Sequence, residues 1–305
     1  MLTGESMSRP ECVFEAKDSL GEGPCWHPRE RALYWTDVPS RKIKRWNPGS
    51  GAHANWILPE MVTAIAVRKK GGLIIASHTG IDFFDPASGR TMRFCAPEQD
   101  KPKNRSNDGK CDRRGRFWYG TMMNNFAPDM SERPITGHTG GLYRVDADGS
   151  VHACEQGIGI SNTVAWSPDD RTMYFADTLD AIYAYDFDAA QGRVSNRRIF
   201  GKLDTAEHGH PDGSTIDADG FLWNARWDGG CLVRWSPDGK VDRVVKMPCR
   251  RVTSCIFGGP DLDVLYITTA RYGLGAGDLA EQPLAGGVFA LDAGVKGIPD
   301  GEFAG

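Results

Sequence analysis

Six residues at one register of the chain carry oxygen on their side chains: Glu22, Thr63, Asn107, Asn162, Asp212 and Thr253. Each stands four positions before an apolar residue (Trp26, Val67, Cys111, Trp166, Ile216 and Phe257) that belongs to a recurring unit. Taken singly, an Asn-Asp or a Pro-Asp-Gly is an ordinary turn sequence in front of a strand. Six oxygen donors at one register need another explanation, because burying them together is costly unless they share a guest. Two carboxylates, two amides and two hydroxyls form a hard donor set, and a divalent cation such as Ca, Mg or Mn suits it.

The unit that carries this register repeats six times. The apolar residue leads into a tight turn (HPRER, RKKGG, DRRGR, SPDDR, DADG, GGPDLD). A strand follows (ALYWTD, LIIAS, FWYGT, MYFAD, LWNAR, LYITT), and after a loop comes a third strand ending in another turn. The spacing of about 40 to 55 residues matches propeller blades of three or four antiparallel strands. The expected fold is therefore all-β, a six-bladed β-propeller over residues 11–305, preceded by a flexible extension over 1–10. The sixth unit runs out of sequence after Asp292, while Cys12–Ala16 is a strand without a unit of its own. Pairing that strand with the last blade would hide an edge and close the ring.

In such a ring the first strand of each blade lines the central channel, so the register above opens onto the axis at one face. Strand alternation brings the segments 96–106, 122–140, 201–211 and 270–286 to the same face, where long loops build pockets. Arg105, two residues before Asn107, is placed to hold a substrate oxygen. Asp37, Asp177 and Arg226 end second strands and read as supports of the site rather than parts of it.

Other chemistry is weaker. His208 and His210 form an H-x-H without a third ligand at metal spacing. Ser161 lacks the G-x-S-x-G elbow of a serine hydrolase, and GLGAG follows no βαβ pattern. The net charge of −4 is mild and the basic residues are scattered, which argues against nucleic acid and anionic membranes as partners. Eight cysteines without a C-x-x-C pair suit a reducing compartment, and the first twelve residues have no apolar signal segment. The expected location is the cytoplasm, as a monomer or weak homo-oligomer.

Five segments, in order, resemble the senescence-marker-protein/gluconolactonase family, which includes regucalcin: SLGEGPCWHP, RSNDGKCDRRGRFWYGTM, ISNTVAWSPDDRTMYFADTL, PDGSTIDADGFLWNARWDGG and LAGGVFALDAGVKGIP. The resemblance runs from about Leu20 to the C-terminus. It implies a metal-dependent sugar lactonase with Glu22, Asn162 and Asp212 as ligands of one divalent ion (Ca, Zn, Mn, Mg or Fe). It also implies Arg105 and Asn107 as substrate contacts, Asp212 as general base, and a small sugar lactone as partner. One departure stands out. Some members place an acidic substrate contact just after G-T-M, where this chain has Met123, Asn124 and Asn125. The alternatives are a regucalcin-like calcium-binding protein and an esterase or phosphotriesterase built on the same architecture.

Overall fold

The computed structural model describes residues 9–305; of the extension expected over 1–10, all but Arg9 and Pro10 lie outside the described residues. Strand β1 (Glu11–Phe14) is set apart from its successors, which form blades in chain order. Blade 1 contains β2 (Gly21–His27), β3 (Ala32–Asp37), β4 (Lys42–Trp46) and β5 (His53–Ile57). Blade 2 contains β6 (Val62–Val67), β7 (Leu73–Ser77), β8 (Gly80–Asp85) and β9 (Arg90–Cys95). Blade 3 is built from β10 (Asn104–Cys111), β11 (Phe117–Met123), β12 (Gly140–Val145) and β13 (Val151–Ile158). Blade 4 follows with β14 (Ser161–Trp166), β15 (Thr172–Asp177), β16 (Ala181–Asp188) and β17 (Arg193–Gly201). Blade 5 has β18 (His210–Ile216), β19 (Leu222–Trp227), β20 (Cys231–Trp235) and β21 (Val241–Lys246). Blade 6 has β22 (Val252–Gly258), β23 (Val264–Thr269) and β24 (Val288–Asp292), with β1 as its outer strand. All six sheets are four-stranded and antiparallel, and they make a six-bladed β-propeller. Closure pairs Glu11 with Ala290, Cys12 with Phe289 and Phe14 with Val288.

The middle strands are runs of β-branched and aromatic residues without polar alternation, because each blade is packed between two others and both its faces are covered. Every residue of β3 and β7 is buried. Exposure is concentrated in the outermost strands, and β5 among them alternates with the two-residue period of a half-exposed strand. Between blades 1 and 2 the packing joins Tyr34, Ile43, Ile65, Leu73, Ile75 and Phe84. Between blades 3 and 4 it joins Trp118, Leu142, Trp166, Phe175 and Tyr185. Aspartates at the lower turns lock this packing. The Asp217 carboxylate, fully buried, accepts from Trp223 Nε1 at 2.9 Å and from Arg234 Nη2 at 2.7 Å. Asp112 does the same for Trp118 Nε1 and Arg116 Nε, at 2.9 and 2.6 Å.

The chain after β24 crosses the lower face, a course for which the sequence analysis had no expectation. Ala218 N donates to Lys296 O, Gly297 N to Leu262 O, Phe303 N to Val67 O and Ala304 N to Gly115 O. The tail thus ties the lower turns of blades 5, 6, 2 and 3 in succession. Phe303 is fully buried against Phe83 and Phe94. Two short helices interrupt the upper loops, α1 (Thr205–His208) and α2 (Ala276–Glu281). Among the described residues no helix is long and apolar enough to cross a membrane, and all eight cysteines are free.

Candidate metal and catalytic site

All six register positions lie near the upper ends of the innermost strands, and every one of those strands breaks its pairing there. The irregularities fall between Glu22 and Cys25, Val62 and Ala64, Ser106 and Gly109, Asn162 and Val164, Pro211 and Ser214, and Val252 and Ser254. A bulge sets two residues against one and re-aims the side chain beside it, and bulges are common next to functional sites. In blade 1 the bulge depends on Gly23, which has φ +54°; a Cβ there would lie 2.8 Å from Thr63 O.

The bulges do not aim all six side chains alike. Glu22, Asn107, Asn162 and Asp212 form one group. Asn107 Nδ2 donates to Asn162 Oδ1 at 3.3 Å and to Ser161 O at 2.8 Å, and Glu22 and Asp212 are close enough to repel one another's charge. Thr63 and Thr253 are turned away from the axis, contrary to the expectation of six converging donors. Thr63 Oγ1 donates to Ser106 Oγ at 2.9 Å, and Thr253 Oγ1 donates to Gly21 O. The physical reason is local satisfaction. A buried hydroxyl within reach of an acceptor on the next blade takes that bond, so these two threonines join blades.

The four remaining residues are held from behind. Asn162 Nδ2 donates to Thr178 Oγ1 at 2.8 Å, leaving the amide oxygen on the side of Asn107. The Asp212 main chain is fixed by Thr163 Oγ1 and Asn224 Nδ2, both donating to Asp212 O, at 2.6 and 3.0 Å. Arg226, 1% exposed, donates to Asn224 Oδ1, His208 O and Gly209 O and so holds the loop that leads to Asp212. Asp37 accepts from Leu20 N just ahead of Glu22, and Asp177 accepts from Gly159 N and Ile160 N just ahead of Asn162. His208 and His210 do not form a pair; the first faces Glu207 and the second Thr178 O.

The electrostatics of the group are unusual. Burial pushes the Glu22 carboxyl up to about 8, helped by the charge of Asp108 and opposed by the Gly23 N–H and Arg105. Burial raises Asp212 well above the usual carboxylate range, with Glu22 and Asp108 adding to it. Asp108, which the sequence analysis passed over as the neighbour of Asn107, is pushed up to about 6 by burial. Lys110 and the N–H groups of Gly109, Thr163 and Val164 pull it back. Among the described residues no three His, Cys, Asp or Glu side chains cluster as a metal cage. An ion held between Glu22 and Asp212 would need a further oxygen, and the Asn162 amide could supply one. The donors are all hard oxygens, which fits a divalent cation of that preference.

Arg105 stands over this group, 4% exposed. Its Nε and Nη2 donate to Asn125 Oδ1 at 3.0 and 2.9 Å, and its Nη1 donates to Asn107 Oδ1 at 2.7 Å and Ser106 O at 2.8 Å. The guanidinium lies 5.2 Å from the centre of the Phe126 ring, which in turn meets Tyr272 edge-on at 5.4 Å. The loops 122–140 and 270–286 thus touch above the channel. The Tyr272 hydroxyl oxygen is buried and, among the described residues, has no hydrogen-bond partner. Tyr272 was not singled out from the sequence, and Asn125 stood out there only as one of the residues where some family members carry an acid; both act across space from loops without a repeating pattern.

Comparison with known proteins identifies the family and the fold. Residues 20–271 match the family model described as the SMP-30/gluconolactonase/LRE-like region. The regucalcin of Oryctolagus cuniculus is 38% identical over 298 residues, covering 97% of this chain and 98% of that protein. The solved structure of a calcium-binding protein, regucalcin, from Agrobacterium tumefaciens superposes with a TM-score of 0.89 at 31% identity, over 97% of both chains. A gluconolactonase structure from Xanthomonas campestris shares the fold at a TM-score of 0.75 and 23% identity, over 92% of this chain and 88% of that one. With its family model matched over most of its length, and with relatives above 30% identity along nearly all of it, the chain belongs to the SMP-30/gluconolactonase/LRE-like family.

Proposed function

We propose that this protein is a metal-dependent lactonase that opens a sugar (aldono-)lactone to the aldonic acid. The observation that supports this best is the carboxylate pair at the upper end of the channel. Burial raises both Glu22 and Asp212, with the charge of Asp108 adding to each, so a cation between them would favour their charged forms. Glu22, Asn162 and Asp212 would hold one divalent ion, of the set Ca, Zn, Mn, Mg or Fe. When bound, such an ion supplies Lewis-acid polarisation of the lactone carbonyl and a lowered pKa for water.

The chain's own residues do the rest. Arg105 and Asn107 hold the sugar's oxygens and fix the carbonyl carbon in reach, which is the entropic part of catalysis. Asp212 takes one proton from the attacking water while the water oxygen bonds to that carbon. The ring C–O bond then breaks and the ring oxygen leaves as a hydroxyl, taking the proton from Asp212. The family membership and the gluconolactonase relatives support a hydrolase of this kind. Eight free thiols fit a cytoplasmic location.

The test is acid release from five- and six-carbon aldonolactones by the purified protein, with and without chelator, followed by add-back of each divalent metal. Absence of hydrolysis by the wild type under all of these conditions would sink the enzyme reading. Calcium binding without any turnover would instead favour a regucalcin-like binding protein, the reading that the regucalcin relatives support.

A further inference from the structure

Arg105 is nine-tenths buried, and a buried guanidinium is ordinarily paired with an anion. Here every hydrogen-bond partner is neutral: the Asn125 and Asn107 amide oxygens and the Ser106 carbonyl. Asn125 occupies the place where an acid would neutralise the guanidinium, since its single oxygen receives both Nε and Nη2 in the geometry of a one-oxygen carboxylate contact. Five donors against these four bonds leave one Nη2 hydrogen without a partner among the described residues. The Tyr272 hydroxyl, also buried and without a partner, belongs to the same end of the channel, within electrostatic reach of Arg105.

The surrounding charges do not fill this gap. Glu22 and Asp212 would be answered by the divalent ion of the proposed reaction, and Lys110 acts on Asp108 while also pairing with Asp300 at 3.5 Å. Neighbouring groups of the upper loops are already paired: Arg93 with Glu60 and Asp82, Lys101 with Glu98, and Arg251 with Asp228. His78 is held toward its neutral form by burial and by Arg105. Asp129 and Glu132 are exposed on their loop, from which their charges reach Tyr272 without pairing with Arg105. The Arg105 guanidinium, a fixed planar fork, thus has one free hydrogen and no anion among its hydrogen-bond partners.

We infer that the lactone taken by this site carries a carboxylate, as the monolactone of a sugar diacid or the lactone of a uronic acid does. The inference rests on the lactonase reading above and deepens it. The carboxylate accepts from the free Nη2 hydrogen and from the Tyr272 hydroxyl, while Asn125 keeps the guanidinium charged and unshared. An acid at position 125 would compete with the substrate for the same two nitrogens.

The experiment compares kcat/KM of the metal-loaded wild type for two lactones of the same ring size and carbon number, one ending in a hydroxymethyl group and one in a carboxylate. The carboxylate lactone is expected to be favoured by ~10- to 100-fold, the range of a charge-assisted hydrogen bond. In Asn125→Asp that ratio should fall at least about tenfold. Calorimetric binding of the corresponding open products, a sugar diacid and an aldonic acid, reads the same preference without turnover. Faster hydrolysis of the neutral lactone, or an unchanged ratio in Asn125→Asp, overturns the inference and leaves the lactonase reading standing. Hydrolysis of neither lactone defeats that reading, and tighter binding of the aldonic acid than of the diacid then removes the inference as well.

Discussion

Replacing Glu22 by Gln should stabilise the metal-free protein and destabilise the metal-loaded one. The Glu22 carboxyl is raised from 4.5 to about 8, chiefly by burial. Its native form thus keeps a proton that the unfolded chain releases from about pH 4.5 upward, and stability falls as pH rises through that window. At pH 7.5 the gap is roughly three pH units, which sets an upper limit of about 4 kcal/mol. Glu22 retains some surface, and water reaching it removes part of the penalty; about 2 kcal/mol is a fair expectation. For a chain of this size that corresponds to a rise of about 4 °C in Tm for Glu22→Gln at pH 7.5, shrinking toward zero at pH 5. A divalent ion at 100 times its Kd would then add about 2.7 kcal/mol to the wild type and much less to the variant, so the order of the two Tm values reverses. Thermal unfolding followed by circular dichroism, from pH 5 to 8, in chelator and in calcium or zinc, reads all four arms. A metal-free variant no more stable than wild type at pH 7.5, or equal stabilisation of both proteins by metal, would refute the reasoning.

Asp212→Asn, saturated with metal and with occupancy checked by elemental analysis, should still bind lactone but lose about 10² to 10⁴ in kcat, because an amide cannot accept the proton; near-wild-type turnover would remove Asp212 as the base. Arg105→Ala and Asn107→Ala should raise KM or lower kcat without stoichiometric metal loss, and loss of metal from the Arg105 variant would contradict the role given to it. Phe303→Ala should lower unfolding stability in urea by about 3 kcal/mol, since the ring is fully buried on the lower face. Metal content should be unchanged, because the tail is at the opposite end of the channel from the site.

The ring of blades was legible because a repeating unit forces the same residue type to the same register, and six copies average out local ambiguity. The closing strand was legible too, as a strand with no unit of its own, though it pairs over Glu11–Phe14 and not on to Ala16. What failed was direction. Thr63 and Thr253 share the register of Glu22 and Asp212, yet a bulge and a nearby acceptor on the adjoining blade turn them aside. No periodic pattern encodes that choice. The tail after Asp292 was silent because it contributes isolated bridges to turns rather than a strand. Asn125 was visible only as a missing acid; that its oxygen takes both Nε and Nη2 of Arg105 needed the two loops in space.

Ring closure also has a consequence in time. Phe14 meets Val288, so nearly the whole chain must be synthesised before the last seam can form, and such distant pairings are slow to find. Glu22 comes from the first blade, Asn162 from the fourth and Asp212 from the fifth, so the three reach one axis only after at least five blades have assembled in order. The group is therefore missing from the shorter intermediates. A cation captured by these residues would report a late step of folding and would help to latch it, converting a loosely sealed circle into one that has to release its ion before it can open.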